Sequence, residues 1–405
     1  MVTVAVIAEY NPFHKGHEYH INKIRRDFGA DTRIIAIMSG NYTQRGEMAI
    51  ADKTVRARAA VECGVNLVLE IPFPYSVSSA EFYAKSGVYI AQRIGVVDYI
   101  SFGSELGNIE KITEIASNMT TLIYNNAYKS IESDKRFKSC GYAEMCEIAY
   151  KNAFGEDICD FLSPNNILAL EYIKALKSLT SDIKPHTTKR LGASYSESSI
   201  LDCEFQSASA IRCAMRNGCT DALSHTPNAA EQVYLEAMAN GLMPVDCERV
   251  SSALLTSFLL NEPYGGEYIH DAAGGLYNRL RNASYTATSI SELVNLSETK
   301  KYTTSRIRRA IYYSFFGVTS SVVKELPAYA QILAFDSDGR EILKRIKKES
   351  DFPLITKPSA TDSLSDDAIR QKELAFKADA LFALACPKSQ SCNFSMKITP
   401  FVKKS

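Results

Sequence analysis

The chain contains no apolar run long enough to cross a bilayer, which excludes a helical membrane protein from its sequence pattern. No basic segment precedes an apolar signal stretch at the N-terminus, where the first residues enter a predicted strand at once; the expected location is cytoplasmic. There is no Cys-x-x-Cys pair. The ten cysteines are scattered, and the nearest neighbours (Cys213/Cys219, Cys140/Cys146 and Cys386/Cys392) stand six apart without His at ligand spacing. Reduced core thiols account for them better than a zinc site or a disulfide framework. Net charge is also missing, with 46 Lys and Arg against 46 Asp and Glu. That balance argues against a protein dominated by nonspecific nucleic-acid binding and leaves room for a local basic face. No internal repeat, low-complexity tract or heptad array interrupts the 405 residues, whose 46% hydrophobic and 23% charged content supports a globular chain of two domains.

What is present in the first half is alternation. Strands are predicted at Thr3–Ala8, Arg33–Met38, Asn66–Ile71 and Val96–Phe102, and helices at His17–Phe28, Thr54–Cys63 and Ser79–Ile94. Short apolar runs bounded by turn residues and separated by helical segments indicate a parallel sheet with crossover helices, an α/β fold of Rossmann-like character. Ligands in such sheets gather at the carboxyl ends of the strands. The polar clusters His14–His17, Ser39–Asn41 and Gly103–Glu105 all fall at those ends and are expected to converge on one site.

The first of these clusters, Asn11-Pro12-Phe13-His14-Lys15-Gly16-His17, carries the most chemistry. A strand ending in a His-x-Gly-His turn and entering a helix is a phosphate-handling corner suited to adenylyl transfer. Gly16 admits close approach of a ligand to the backbone. The helix behind it directs unsatisfied N–H groups and its positive dipole end at an anion. His14 and His17 add donors without the permanent charge of Lys or Arg, placed to stabilise charge building on a triphosphate. Farther along, Arg190 and Arg212 are candidate phosphate contacts. Ser207 and Ser209 are candidate hydroxyl donors at a helix start, where a Ser is equally a cap. Gly103 would let adenine or ribose lie against the backbone, and Asn41, Gln44 and Arg45 are candidates for holding a small second substrate. No dedicated carboxylate cluster for a metal shows; magnesium would arrive with the nucleotide.

From Lys111 to Leu179 the pattern is mainly helical, with Pro164-Asn165-Asn166 opening an apolar helix. A boundary is expected near Ser224–Pro227, dividing residues 1–222 from a mainly helical, partly basic domain at 223–405. There, Ser305–Phe316 reads as a helix with Ile307, Ile311 and Phe315 inward, and with Arg308, Arg309 and Tyr312 free to project elsewhere. A strand at Gln331–Phe335 and an Asp338-Gly339 turn lead into a helix with Lys344, Arg345, Lys347 and Lys348. These clusters suit a phosphate backbone, although a solvated helix face explains the same charges.

The stretches Asn11–His17, Ser39–Glu47, Leu69–Ser76, Phe102–Glu105, Ser163–Leu168 and Lys189–Ala193 together resemble the tRNA(Met) cytidine acetate ligases, within the HIGH-type nucleotidylyltransferases. The resemblance implies a parallel-sheet nucleotidylyltransferase (HUP) core. It also implies an enzyme that joins acetate to ATP as acetyl-adenylate, releases pyrophosphate, and passes the acetyl group to the wobble cytidine of elongator tRNA(Met). It places ATP contacts at Ile7, Ala8, Glu9, Tyr10, Asn11, Pro12, Phe13, His14, Lys15, Gly16, His17, Glu18, Tyr19, His20, Gly103, Asn165, Arg190 and Leu191. It gives Arg306, Arg308 and Arg309 to tRNA. With that reaction in view, the residues' own chemistry assigns His14 and His17 the catalytic role and makes acetate or cytidine the group that Asn41, Gln44 and Arg45 are candidates to hold. The family's Gly-Ala-Gly-Tyr-His pattern departs here to Gly192-Ala193-Ser194-Tyr195-Ser196. The competing reading is a nucleotidylyltransferase making a cofactor from ATP and a phosphorylated metabolite, which explains His14–His17 equally well and the Arg306–Arg309 helix less well.

Overall fold

The apolar runs of the first half become the middle of one sheet. The computed structural model describes residues 1–137, 140–190, 206–260, 266, 268–357 and 364–404. β1 (Thr3–Ala8) leads through α1 (Lys15–Phe28), β2 (Arg33–Ser39), α2 (Lys53–Glu62), β3 (Leu67–Ile71) and α3 (Ala80–Arg93) to β4 (Tyr99–Ser104). A helical excursion follows: α4 (Ile109–Met119), α5 (Leu122–Ser133), α6 (Tyr142–Phe154) and α7 (Pro164–Ser178), then β5 (Lys184–Lys189). The later chain forms α8 (Ala208–Arg216), α9 (Asn228–Ala239), α10 (Ser251–Leu260), α11 (Leu276–Ser284), α12 (Ile290–Ser297), α13 (Thr304–Phe316) and α14 (Ser320–Lys324). It ends in β6 (Ala330–Phe335), α15 (Ser337–Glu349), β7 (Leu354–Ile355), α16 (Asp366–Ala385) and β8 (Phe401–Val402).

Strand order is β5-β4-β1-β2-β3-β6-β7, with β8 also paired to β6. β1 to β5 are mutually parallel, and β6 runs antiparallel to β3. Both faces of the sheet are covered, so the strands carry apolar residues on each side. Ala5 and Ile7 join the core under α3 and α7, while Val4 and Val6 join the core under α1, α2 and α9. The chain moves outward from β1 through β2 to β3, then crosses back to β4 on the other side of β1. That reversal opens a crevice at the carboxyl ends of β1 and β4, where the His-x-Gly-His turn lies.

Three expectations change. The division at 222/223 does not mark a break in packing, because α9 packs on α2 and β6 pairs with β3. A third core instead joins α10 to α13 and α16 to Tyr42, Met48, Phe73 and Val77 of the first half. The basic helix α15 sits at the amino ends of the strands: Arg345 reaches the Thr3 hydroxyl at 3.3 Å, and Glu349 lies beside Gly95. It therefore faces away from the crevice. Asp336 caps α15, so Asp338 and Gly339 lie inside its first turn and do not form the expected turn before it. Among the described residues no helix is long and apolar enough to cross a membrane, and nine cysteines are free thiols.

Candidate active site

The turn after β1 is held in place before any ligand arrives. The Asn11 carboxamide oxygen accepts the Ile50 amide at 2.7 Å, and the Tyr234 hydroxyl accepts the Phe13 amide at 2.7 Å. Arg56, fully buried, donates to the carbonyls of Glu9 (2.6 Å), Ser39 (3.2 Å) and Ala51 (3.0 Å) and also to that of Gly40, tying the ends of β1 and β2 together. Tyr10 takes a φ of 45°, a strained value for a non-glycine residue that these clamps sustain.

His14 is the N-cap of α1, and its Nδ1 accepts the Gly16 amide at 3.0 Å; His17 Nδ1 accepts the His14 amide at 3.2 Å. The two imidazoles thus build a reciprocal cap on the helix, the arrangement usually made by Ser and Glu. A Cβ on Gly16 would lie 2.8 Å from the His14 ring, so any side chain there would push the ring out of its capping position. The hydrogen bonds also assign tautomers. With Nδ1 accepting, each neutral ring keeps its proton on Nε2, and both rings line the crevice. Burial pushes His14 down to about 3, with help from Arg190 and Arg212. His17 is lowered well below 6.5, first by burial and then by His14 and Arg190. Both are neutral donors at pH 7.

Other strand and helix ends complete the wall. Gly103, at the end of β4, packs against Arg190, whose side chain would meet a Cβ there at 3.2 Å. Asn166 accepts the Glu105 amide at 3.0 Å, and Ser163 donates to the Glu105 carboxylate at 2.8 Å, as Asn165 does. The N-terminus of α7 is thereby fixed over the β4 turn, with Asn165 on the crevice. Ser207 caps α8 through the Ala210 amide at 3.1 Å, and Ser209 accepts from Arg212 at 3.3 Å. Arg212 donates to the Asn11 carbonyl at 2.8 Å, which bolts α8 to the motif turn. His20, one turn beyond His17, bonds Ser101 at 2.8 Å; Ser101 bonds His186 at 2.9 Å, and His186 pairs with Asp27 at 3.2 Å.

The family model described as HIGH Nucleotidyl Transferase matches residues 1–396. A curated protein of Thermoanaerobacter sp. (strain X514), "tRNA(Met) cytidine acetate ligase", is 34% identical over 411 residues, covering 100% of both chains. The apo crystal structure of Thermotoga maritima TmcAL covers 100% of both chains at 29% identity, with a TM-score of 0.91. Its form with alpha-thio ATP bound covers 99% of both at 29% identity, with a TM-score of 0.88.

The chain belongs to the tRNA(Met) cytidine acetate ligase family, within the HIGH nucleotidyl transferases.

Against the residues expected from the ligase family, the crevice gathers Ile7 to Asn11, His14, Gly16, His17, Tyr19, His20, Gly103, Asn165, Arg190, Ser207 and Arg212. Pro12 and Phe13 are buried in the turn behind it, and Lys15 and Glu18 stand on α1 outside its wall. Ser209 contributes through Arg212. Leu191 and the Gly192–Ser196 departure lie outside the described residues. Gln44 and Arg45 line the crevice, but Asn41 does not. Its carboxamide donates to Asp52 (3.2 Å) and Asp379 (2.9 Å) and accepts the Lys53 amide at 2.7 Å, so both of its donors and its oxygen are engaged in the interior.

Beside it, Lys53 bonds Glu70 and Asp379, each at 2.8 Å, wholly buried. Burial opposes the charge on Lys53, and the two carboxylates outweigh it, holding the ammonium above its ordinary value. The family stretch around Gly40–Glu47 therefore serves largely to join the two halves. Tyr42 packs its ring on Phe73 (5.4 Å) and Tyr312 (4.9 Å), and Gly46, at φ 75°, lets the loop touch the backbone of α13.

The three arginines of α13 do not act as a set. Arg309 is buried against Asp271, and Tyr312 is buried as well, contrary to their expected outward projection. Arg306 donates to the carbonyls of Asp271 (2.9 Å) and Ala273 (3.1 Å). Arg308 alone of the three connects to the crevice wall, through Glu47, with which it pairs and which the wall residue Arg212 also approaches at 3.4 Å. Sequence reasoning missed Arg56 and Tyr234; the one signal was an arginine set among the alanines of α2.

Proposed function

We propose that this chain activates acetate with ATP and transfers the acetyl group to the wobble cytidine of elongator tRNA(Met). The observation that carries the reading is the pair of neutral Nε2–H donors on His14 and His17, facing a crevice flanked by Arg190 and Arg212. Acetate needs no deprotonation at neutral pH. The work is to align it with the α-phosphorus and to stabilise charge on the departing pyrophosphate. Neutral imidazole donors suit a polyanion that must bind and then leave, because they add hydrogen bonds without a fixed counter-charge. Arg212 and Arg190, both on the crevice wall, would supply the permanent charge. Adenosine would lie along Gly103 and Asn165, and magnesium would enter as the counter-ion of the triphosphate. The bound alpha-thio ATP of Thermotoga maritima TmcAL supports a nucleotide in this fold.

In the second step the exocyclic amine of cytidine attacks the acetyl carbonyl and AMP leaves. Gln44 and Arg45, which line the crevice, would meet the second substrate. Arg308, on Glu47 at the same side, is placed for an RNA phosphate to replace its carboxylate partner. Exchange of labelled pyrophosphate into ATP tests the first step. Exchange that requires acetate is expected; exchange that instead requires a phosphate ester overturns the reading in favour of a cofactor-forming nucleotidylyltransferase.

A further inference from the structure

The reaction just proposed handles three anions, ATP, acetate and pyrophosphate, yet a carboxylate is built into the wall of its crevice. Among the described residues that line the crevice, Glu9 is the one acidic side chain. It is the residue immediately after β1, and its position is fixed from several sides. Its carbonyl is held by Arg56 at 2.6 Å, its Oε1 accepts the Gln44 amide at 2.9 Å, and the next residue, Tyr10, has the strained φ of 45°. Arg212 lies close enough to act electrostatically on both His14 and Glu9, which puts Glu9 beside the phosphate-binding groups.

A carboxylate in that place repels phosphate and cannot be a phosphate ligand. One group in the sequence of steps must give up a proton, and it is the cytidine amine. Among the other titratable groups on the wall, the imidazoles and the buried phenols Tyr83 and Tyr172 are poorly suited to take it. His14 and His17 present N–H donors, since Nδ1 of each is occupied by a backbone amide. Tyr83 and Tyr172 are phenols raised above their ordinary value, chiefly by burial. His20 is turned to Ser101, one turn deeper along α1.

Resting on the acetate-ligase reading, we infer that Glu9 is the general base of the acyl-transfer step. As the amine nitrogen forms its bond to the acetyl carbonyl carbon, the bond from that carbon to the AMP oxygen breaks. AMP leaves with the electron pair, and the nitrogen's proton passes to the Glu9 carboxylate and thence to water. A base is most effective when its pKa lies toward the working pH. Burial raises Glu9, against the lowering effect of the Gln44 amide, Arg212 and Arg45, while Glu47 adds to the rise.

The test compares the two half-reactions in the full-length enzyme. Glu9→Gln keeps the oxygen that accepts the Gln44 amide and removes the base. Acetate-dependent pyrophosphate exchange reports activation, and single-turnover transfer of labelled acetyl to tRNA reports the second step. Transfer is expected to fall roughly 10²–10⁴-fold, far more than exchange does, and the variant should lose the acidic limb of the transfer pH profile. Equal losses in both half-reactions, or transfer at the wild-type rate, overturn the assignment. A wild-type enzyme with no acetate-dependent exchange would instead overturn the reading on which it rests.

Discussion

Two polar clusters lie at the carboxyl ends of the same sheet and are treated in opposite ways. At the ends of β2 and β3, Lys53, Glu70, Asp379, Asn41 and Asp52 use one another up: each charge meets a partner inside the protein. At the ends of β1, β4 and β5, the imidazoles are kept neutral and aimed into open space, with arginines around them. The first cluster joins the α16 segment to the sheet. The second leaves hydrogen-bonding capacity for a ligand. Ser39–Asn41 and His14–His17 were both polar clusters at strand ends in the sequence, so chemistry at a strand end becomes a site only where the interior has not already consumed it.

Breaking each cluster should therefore have different consequences. The largest effect is expected from replacing His14 and His17 together by Ala. Loss of a preorganised donor costs about 10²–10³ in rate, so acetate-dependent exchange should fall at least that far, as measured in steady-state assays. Lys53→Met should act on stability. It leaves two carboxylates buried without their cation, at a cost of about 3–5 kcal/mol, measurable by urea unfolding, while exchange per folded molecule is retained.

The third prediction concerns acid. The folded-state values of His14 and His20 are lowered by burial to about 3 and about 4, below the ordinary 6.5. The unfolded chain therefore takes up protons first as pH falls. Their contribution to stability is complete above the ordinary value and is lost on descending toward the folded values, by up to about 1.4 kcal/mol per pH unit for each ring. Part of His20 faces the crevice, so its share is the smaller. Unfolding compared at about pH 7 and about pH 5 should show the loss, and His14→Gln should reduce it. The smallest effect belongs to Arg308→Ala, which should lower the salt dependence of tRNA affinity by about one phosphate contact, read from binding isotherms at several salt concentrations.

The sheet was legible because its central strands are buried on both faces and read as continuous apolar runs. β5 was not, because Lys-Pro-His-Thr-Thr-Lys has no apolar run; it is an edge strand, where proline and charge are tolerated. The crevice was legible at His14, Gly16 and His17, since the spacing itself carries the mechanism. Asn41 and Arg309 misled for a common reason. A polar residue in a family stretch looks the same whether it meets a ligand or a buried partner, and Asp379 and Asp271, the partners here, lie far along the chain. Glu9 was visible just before the motif, among the contacts the family resemblance implied, but its isolation among anion-binding groups appeared only with the crevice around it.

The most direct test is to incubate the protein with ATP, labelled acetate and total tRNA and to identify the labelled nucleoside after digestion. ATP-dependent label in N4-acetylcytidine, confined to elongator tRNA(Met), is the predicted result. Unlabelled tRNA under conditions where a phosphorylated metabolite is adenylylated would contradict the account.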